Sequence, residues 1–214
     1  MLNPHTQTPL TWFGDEPALG RLGVVLLHGR TQSPAQMKEL LVDRLALRNV
    51  SYAAPSASGN TWYPNSFLVP VMENEPSRWH ALEAVQFASD GLSERGIGLA
   101  SQVVLGFSQG ACLGAEYVYR SGRRCGALLA LTGGLMGPPG TTWEPGRWTD
   151  MPVLLGGSRD DPWVPATRME ETAAVFKASG ARVELTFYEG SAHGVPDDQV
   201  QRARAVLLGL GATS

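Results

Sequence analysis

Short apolar runs alternate with amphipathic stretches along most of this chain. The runs are rich in Val, Leu and Ala, which is typical of strands buried inside a sheet. They cover Leu22–His28, Ser51–Ala54, Gln102–Phe107, Ala127–Leu131, Pro152–Leu155 and Arg182–Tyr188. The last run partly alternates polar and apolar residues, which favours a strand near the edge of the sheet.

Between these runs, apolar residues recur at helical spacing. The predicted helices cover Pro34–Leu47, Trp79–Leu92, Gly110–Tyr119, Pro165–Ala178 and Val200–Leu210. Ser33 and Pro34 are the residue types expected at the N-cap and at the first position of the first helix. Strands that alternate with helices predict βαβ units, and therefore a mostly parallel sheet with helices on both faces.

Two long segments do not follow either pattern. Pro55–Ser77 contains Trp62, Tyr63 and Phe67, and Gly133–Asp150 is rich in Gly and Pro. Long irregular loops are uncommon in compact domains and are often functional. Both segments follow predicted strands, so we expect them at the carboxyl edge of the sheet, where open α/β sheets bind ligands.

The composition is that of an ordinary globular protein. Its 214 residues, 43% apolar and 17% charged, are enough for one domain over residues 1–214. The formal net charge of -3 and the scattered Lys and Arg exclude general attraction to nucleic acid or to an anionic membrane. The two cysteines, Cys112 and Cys125, lie in apolar stretches and are expected to be reduced core thiols.

No segment predicts targeting or membrane insertion. The N-terminus lacks a basic region followed by an apolar run, so we predict no signal peptide. No apolar stretch approaches the roughly 18 residues that are needed to cross a bilayer. We expect a cytoplasmic protein, either a monomer or a homodimer, without stable membrane insertion.

The clearest chemical motif is Gly106-Phe107-Ser108-Gln109-Gly110. A GxSxG pattern alone is a weak signal, but this one directly follows a predicted strand and opens a small-residue helix. Strand, sharp turn and helix are the context of a nucleophile elbow, in which the serine hydroxyl is lifted out of the sheet. The flanking glycines allow the tight turn and the close packing of strand and helix. Ser108 is therefore the candidate nucleophile.

A serine hydroxyl needs a general base, and the chain has four histidines. His5 lies in a polar N-terminal segment and is expected to be exposed, and His80 begins a helix and is expected to be solvated. His28 ends the first predicted strand. Only His193 lies in a loop after the last predicted strand, as the order Ser, Asp, His of the nucleophile-elbow hydrolases requires. We therefore predict His193 as the base.

The acid that orients this base is expected between the serine and the histidine. Two neighbouring aspartates, Asp160 and Asp161, occupy the loop after the penultimate strand. A carboxylate buried against the imidazole would hold its tautomer and stabilise the imidazolium. Spacing alone does not separate these two residues.

Acyl transfer also needs two N–H donors for the developing oxyanion. One is expected from the residue after the nucleophile, which is Gln109. The other is expected from the loop after the first strand, where Gly29 permits close approach and the Arg30 N–H is the natural donor. In this hypothesis the Arg30 side chain has no required role.

Together these motifs resemble the phospholipase/carboxylesterase family of α/β-hydrolases, which includes acyl-protein thioesterases. The motifs are Leu27-His28-Gly29-Arg30, Gly106-Phe107-Ser108-Gln109-Gly110, Asp161-Pro162-Trp163-Val164-Pro165 and Ala192-His193-Gly194. The resemblance spans about Gly23 to Leu208 and implies an α/β-hydrolase fold. It also implies Ser108, Asp161 and His193 as the triad, because the acid of the family lies in a D-x-x-V-P segment. Backbone donors at Arg30 and Gln109, and no metal or organic cofactor, are implied as well.

The sequence departs from the thioesterase members of that family. Arg30-Thr31-Gln32-Ser33 stands where they usually have a small or apolar residue and an acidic stretch, and Thr61–Asn65 looks more like a bacterial carboxylesterase branch. We therefore predict a serine carboxylesterase that acts on small-molecule esters. Candidate pocket residues are Trp62, Tyr63, Phe67, Leu135, Met136 and Trp163.

Other functions remain open at this stage. A thioesterase or lysophospholipase would need a long apolar channel beside the serine. A non-catalytic binding protein with a hydrolase fold would be expected to have lost catalytic residues. In this chain, candidates for all three triad residues and for both oxyanion loops are present. A dienelactone-type hydrolase would have Cys as nucleophile, where this chain has Ser108.

Overall fold

The computed structural model describes residues 2–18 and 20–214, which form a seven-stranded sheet. The strands are β1 (Thr11–Gly14), β2 (Leu22–Leu27), β3 (Val50–Ala54), β4 (Gln102–Phe107), β5 (Ala127–Leu131), β6 (Pro152–Ser158) and β7 (Arg182–Tyr188). Their order across the sheet is β1-β3-β2-β4-β5-β6-β7, and every neighbouring pair is parallel except β1 with β3. The predicted mostly parallel sheet is confirmed.

The two edges of the sheet differ in how well the sequence predicts them. Strand β7 is an edge strand, as its alternating pattern indicated. Strand β1 was not predicted, because its four residues are only partly buried and have no clear alternation. It forms by pairing antiparallel with β3, about forty residues away, with Thr11 opposite Ala54. Such distant pairing has no local signal in the sequence.

The helices agree with the predicted ones in place and differ at their ends. They are α1 (Pro34–Met37), α2 (Asp43–Leu45), α3 (Ser77–Ser93), α4 (Gln109–Ser121), α5 (Ala166–Ala178) and α6 (Asp197–Gly209). A π-helical stretch joins α1 to α2, and Ala46 ends this region with a left-handed backbone, at φ 47°. Ser33 is the N-cap of α1, as predicted. No helix in the described ranges is long and apolar enough to cross a membrane.

The sheet lies between two apolar layers. Along β2, Val25 and Leu27 face one layer, whereas Val24 and Leu26 face the other, because successive side chains of a strand point to opposite faces. Helices α3, α4 and α5 cover the first face, and α1, α2 and α6 cover the second. This burial on both faces explains why the central strands are continuously apolar.

The junction between β4 and α4 is a very close contact of backbone with backbone. A Cβ atom on Gly110 would lie 2.3 Å from the Leu27 carbonyl oxygen and 2.6 Å from that of His28. A Cβ atom on Gly106 would lie 2.4 Å from the Gly110 carbonyl oxygen. The neighbouring atoms are backbone and cannot rotate away, so helix α4 can approach β2 and β4 this closely only with glycine at both positions.

We predict that Gly110→Ala lowers the free energy of unfolding by about 1–3 kcal/mol, because the added methyl group must displace backbone. Urea unfolding followed by circular dichroism measures this change. The matched control is Gly98→Ala, since Gly98 has φ -64° and an added Cβ would meet no atom within 4 Å. Equal stability of the two variants would contradict the proposed constraint.

Candidate active site

Ser108 occupies the sharp turn between β4 and α4. Its backbone has φ 53° and ψ -120°, a conformation that costs a non-glycine residue about 1–3 kcal/mol. Two backbone hydrogen bonds hold it there: the Ser108 N–H donates to the Leu131 carbonyl at 3.0 Å, and its own carbonyl accepts from the Cys112 N–H at 3.0 Å. The turn places the serine at the carboxyl end of β4 and the N-terminus of α4.

A hydrogen-bonded chain of three side chains starts at this serine. The Ser108 Oγ lies 2.8 Å from His193 Nε2, and His193 Nδ1 lies 2.7 Å from Asp161 Oδ2. Because a carboxylate only accepts hydrogen bonds, Nδ1 carries the imidazole proton and Nε2 is left to accept the serine proton. The Asp161 side chain is fully buried, whereas that of His193 is 24% exposed. The arrangement can therefore remove a proton from Ser108 and hold the imidazolium that results.

The structure separates the two aspartates that spacing left open. Asp161 Oδ1 accepts hydrogen bonds from the N–H groups of Trp163 and Val164, both at 2.9 Å, which fixes the carboxylate beneath His193. Asp160 is exposed, and within residues 2–18 and 20–214 only its backbone N–H has a hydrogen-bond partner, the Gly190 carbonyl at 3.1 Å. Asp161 is thus the residue that touches the histidine.

Two backbone N–H groups at this site lack a protein acceptor within the described ranges. One is that of Gln109, which stands in the first turn of α4, where helical N–H groups have no intrahelical acceptor. The other is that of Arg30, next to Gly29, whose own N–H donates to Gln32 Oε1 at 2.9 Å. These two N–H groups are the pair that the sequence predicted as oxyanion donors.

His28 supports the loop that carries Arg30. The Ala57 N–H donates to His28 Nε2 at 3.0 Å, so Nδ1 carries the proton and donates to the Gly29 carbonyl at 2.8 Å. Burial lowers the pKa of His28, which keeps the imidazole neutral. The His28 side chain therefore connects the loop after β2 to the loop after β3 through two hydrogen bonds.

A cavity of about 520 Å³ opens beside Ser108. Its apolar lining consists of Tyr63, Pro64, Phe67, Cys112, Trp163 and Val164. Its polar lining, besides Ser108 and His193, consists of Arg30, Thr31, Asn65, Ser66 and Gln109. A carbonyl group placed at Ser108 would therefore meet both apolar and polar groups.

Not every aromatic or apolar residue that the sequence suggested reaches this cavity. Tyr63, Phe67 and Trp163 line it, but Trp62, Leu135 and Met136 are buried in the core layer behind it. Trp62 donates its indole N–H to the His28 carbonyl at 2.8 Å, which turns the ring into the interior. These three residues support the wall and do not form it.

The side chains of Arg30 and Gln109 have a role that the sequence did not indicate. The Arg30 guanidinium donates to the carbonyls of Tyr63, Pro64 and Asn65 at 3.0, 2.8 and 2.9 Å. Gln109 accepts from the Trp62 N–H at 3.0 Å and donates to the Tyr63 carbonyl at 2.8 Å. The two residues predicted as oxyanion donors therefore also hold the loop that contributes Tyr63, Pro64 and Asn65 to the cavity lining.

The two cysteines are free and buried, as predicted. Cys112 lies one helical turn after Ser108 and contributes its side chain to the cavity wall. Burial raises the pKa of its thiol to about 12, and that of Cys125 to about 11. Neither thiol is therefore an activated nucleophile.

The expectation that His5 is exposed is wrong. Only 4% of it is accessible, because it packs against Trp62 with ring centroids 5.5 Å apart. The Ser58 N–H donates to His5 Nδ1 at 2.9 Å, so Nε2 carries the proton, and it has no partner among the residues described. The polar sequence around His5 gave no sign of this, because the contact is made by the distant loop after β3.

The fold and the site together define an α/β-hydrolase: a mostly parallel sheet, helices on both faces, and a serine on a strand–turn–helix at its carboxyl edge. A family model described as Phospholipase/Carboxylesterase matches residues 21–208. The chain belongs to the phospholipase/carboxylesterase family. A comparison with curated protein sequences gave no match.

Solved structures agree with this assignment. A phospholipase/carboxylesterase from Dyadobacter fermentans is 30% identical, with a TM-score of 0.84 over 94% of this chain and 96% of that one. Esterase PE8 is 21% identical, with a TM-score of 0.76 over 95% and 100% of the two chains. A Bacillus cereus carboxylesterase is 12% identical, with a TM-score of 0.77 over 96% and 97%. The last two similarities concern the fold alone.

We predict that a lower pH weakens the packing of His5 against Ser58 and Trp62, which belong to the loop after β3. Burial, and next the nearby His80, lower the pKa of His5 below its ordinary value of 6.5. The unfolded chain then binds this proton more readily than the folded one, so His5 contributes stability above the unfolded pKa that is lost as the pH falls. The melting temperature should therefore decrease from about pH 7 to about pH 5.

The matched variant is His5→Asn, whose side-chain oxygen can accept the Ser58 N–H bond and does not titrate. Its melting temperature should depend less on pH over the same interval. If the wild type and this variant show the same pH dependence, His5 is not the group responsible.

Proposed function

We propose that this protein is a serine carboxylesterase that hydrolyses small carboxylic esters through an acyl-enzyme intermediate. The observation that carries the proposal is the hydrogen-bonded chain from Ser108 through His193 to the buried Asp161, at the wall of a cavity. Membership of a carboxylesterase family and a 30% identical phospholipase/carboxylesterase support the same class of reaction.

The proposed reaction has two halves. Ser108 Oγ attacks the ester carbonyl while His193 Nε2 takes the hydroxyl proton, and the N–H groups of Arg30 and Gln109 hold the oxyanion. The tetrahedral intermediate expels the alcohol, which receives the proton from His193 and leaves Ser108 acylated. Water then attacks the acyl group with His193 again as the base, which releases the acid and restores the serine. Asp161 keeps the imidazole in the required tautomer throughout.

The cavity favours small esters over long acyl chains. Its lining combines six apolar residues with several polar ones. Apolar walls with a few polar groups suit small acyl or aryl esters. A thioesterase or lysophospholipase is expected to offer a longer apolar channel, and this mixed lining favours that function less.

The two neighbouring aspartates supply the sharpest test. In hydrolysis of 4-nitrophenyl acetate and butyrate, Asp161→Asn should lower kcat by about 10³–10⁴-fold, because an amide that orients the imidazole favours the wrong tautomer. Asp160→Asn should change kcat little, because its side chain is exposed and does not contact His193. Initial rates for the purified variants measure both effects.

Ser108→Ala sets the background rate for this comparison, and circular dichroism verifies that each variant is folded. A larger loss in Asp160→Asn than in Asp161→Asn would move the acid to the other residue. Ester hydrolysis that persists in Ser108→Ala would overturn the proposed function itself.

A further inference from the structure

Arg30 is the one permanently charged residue among those of the described chain that line the cavity. It is exposed there, and its three nearest acceptors are the backbone carbonyls of Tyr63, Pro64 and Asn65. Carbonyl oxygens accept hydrogen bonds but do not neutralise a formal charge. Three bonds also leave two of the five guanidinium N–H groups without a protein acceptor within residues 2–18 and 20–214.

The positive charge of Arg30 has no anionic partner within 4.0 Å among residues 2–18 and 20–214. Within the described ranges, ten ion pairs bring an acid within 4.0 Å of Lys, Arg or His, and Arg30 is in none of them. The carboxylate nearest the reaction centre, that of Asp161, is fully buried and bonded to His193. A ligand in the cavity therefore meets a cation that has no carboxylate of the described residues within 4.0 Å.

Holding the loop does not by itself require a charge. Gln109 binds Trp62 and Tyr63 of the same loop through a neutral amide. Further along, Asn74 accepts from the Asn65 N–H at 2.9 Å through another neutral amide. The guanidinium binds three carbonyls of the loop, and it also places a positive charge in the lining of the cavity.

We propose that Arg30 is a specificity-determining residue, which selects esters that carry a carboxylate or phosphate group. The inference rests on the proposed esterase function and adds a substrate class to it. The backbone of Arg30 would hold the oxyanion, while its side chain would bind the anionic group of the same substrate by a charge-assisted hydrogen bond. Since the protein has a net charge of -3, this preference would come from the site and not from the whole surface.

The test compares esters that differ only in charge. Ethyl butyrate, ethyl succinamate and monoethyl succinate place a methyl, amide or carboxylate group at one position of the acyl chain. Monobutyrin and 1-butyryl-glycerol 3-phosphate compare a neutral and a phosphorylated alcohol. At low ionic strength, kcat/KM for an anionic ester should exceed that for its neutral partners by about tenfold or more. The pair that shows the preference tells whether a carboxylate or a phosphate is selected.

Two variants assign this preference to the side chain. Arg30→Gln keeps the backbone N–H and removes the charge, so its ratio of anionic to neutral kcat/KM should fall to about one. Arg30→Lys keeps the charge but loses the guanidinium hydrogen bonds to the three carbonyls. Its kcat/KM values for anionic and for neutral esters should therefore both fall, while most of the ratio between them remains. The ratio within each variant corrects for any general loss of activity through movement of the loop.

The outcomes are separable. Ser108-dependent hydrolysis of the neutral esters with no anionic preference, or the same ratio in wild type and Arg30→Gln, would overturn this inference and leave the esterase proposal standing. If the wild type hydrolysed none of the neutral or anionic esters, the proposed function would fail first.

Discussion

The close approach of helix α4 to strands β2 and β4 is the constraint on which the rest of the site depends. Gly106 and Gly110 bring backbone within van der Waals contact of backbone, and Ser108 between them takes a φ of 53° that the flanking hydrogen bonds maintain. Relaxing this turn would move the serine away from His193. The turn must place the Ser108 side chain at the carboxyl edge of the sheet while helix α4 stays packed on that sheet. The strained backbone at Ser108 is the consequence of these two requirements.

A second set of contacts joins the reaction centre to the cavity wall. Arg30 and Gln109 each have a backbone N–H without a protein acceptor in the described part of the chain, and they use their side chains to hold the loop after β3. His28 and Trp62 reinforce the same connection from the core, through the bond from the indole N–H to the His28 carbonyl. A change in this loop would therefore affect the proposed oxyanion donors as well as the shape of the cavity.

The pattern of apolar residues predicted those strands and helices whose own residues are buried along their whole length. The strand before Ser108 and the small-residue helix after it could be predicted, because burial on both faces makes each of them apolar throughout. Ser108 and His193 were predicted from the chain order of the nucleophile-elbow fold, and spacing alone left Asp160 and Asp161 open. The family resemblance favoured Asp161, and the structure places this residue, buried, in contact with His193.

What the sequence could not predict depends on distant partners. Strand β1 exists because it pairs with β3, and His5 is buried because the loop after β3 covers it. Trp62 reads like a pocket residue, yet its indole N–H finds a backbone acceptor in the interior. The Arg30 side chain was expected to have no required role, yet three carbonyls more than thirty residues away accept its hydrogen bonds. Composition and periodicity carry no record of such contacts.

The central claim is that Ser108 forms the covalent intermediate, and active-site labelling tests it most directly. The protein is incubated with a fluorophosphonate, and intact-mass and peptide mass spectrometry locate the adduct. The account predicts one adduct per chain, on the peptide that contains Ser108, with ester hydrolysis lost in proportion to labelling. An adduct on another residue, or full esterase activity in the labelled protein, would contradict it.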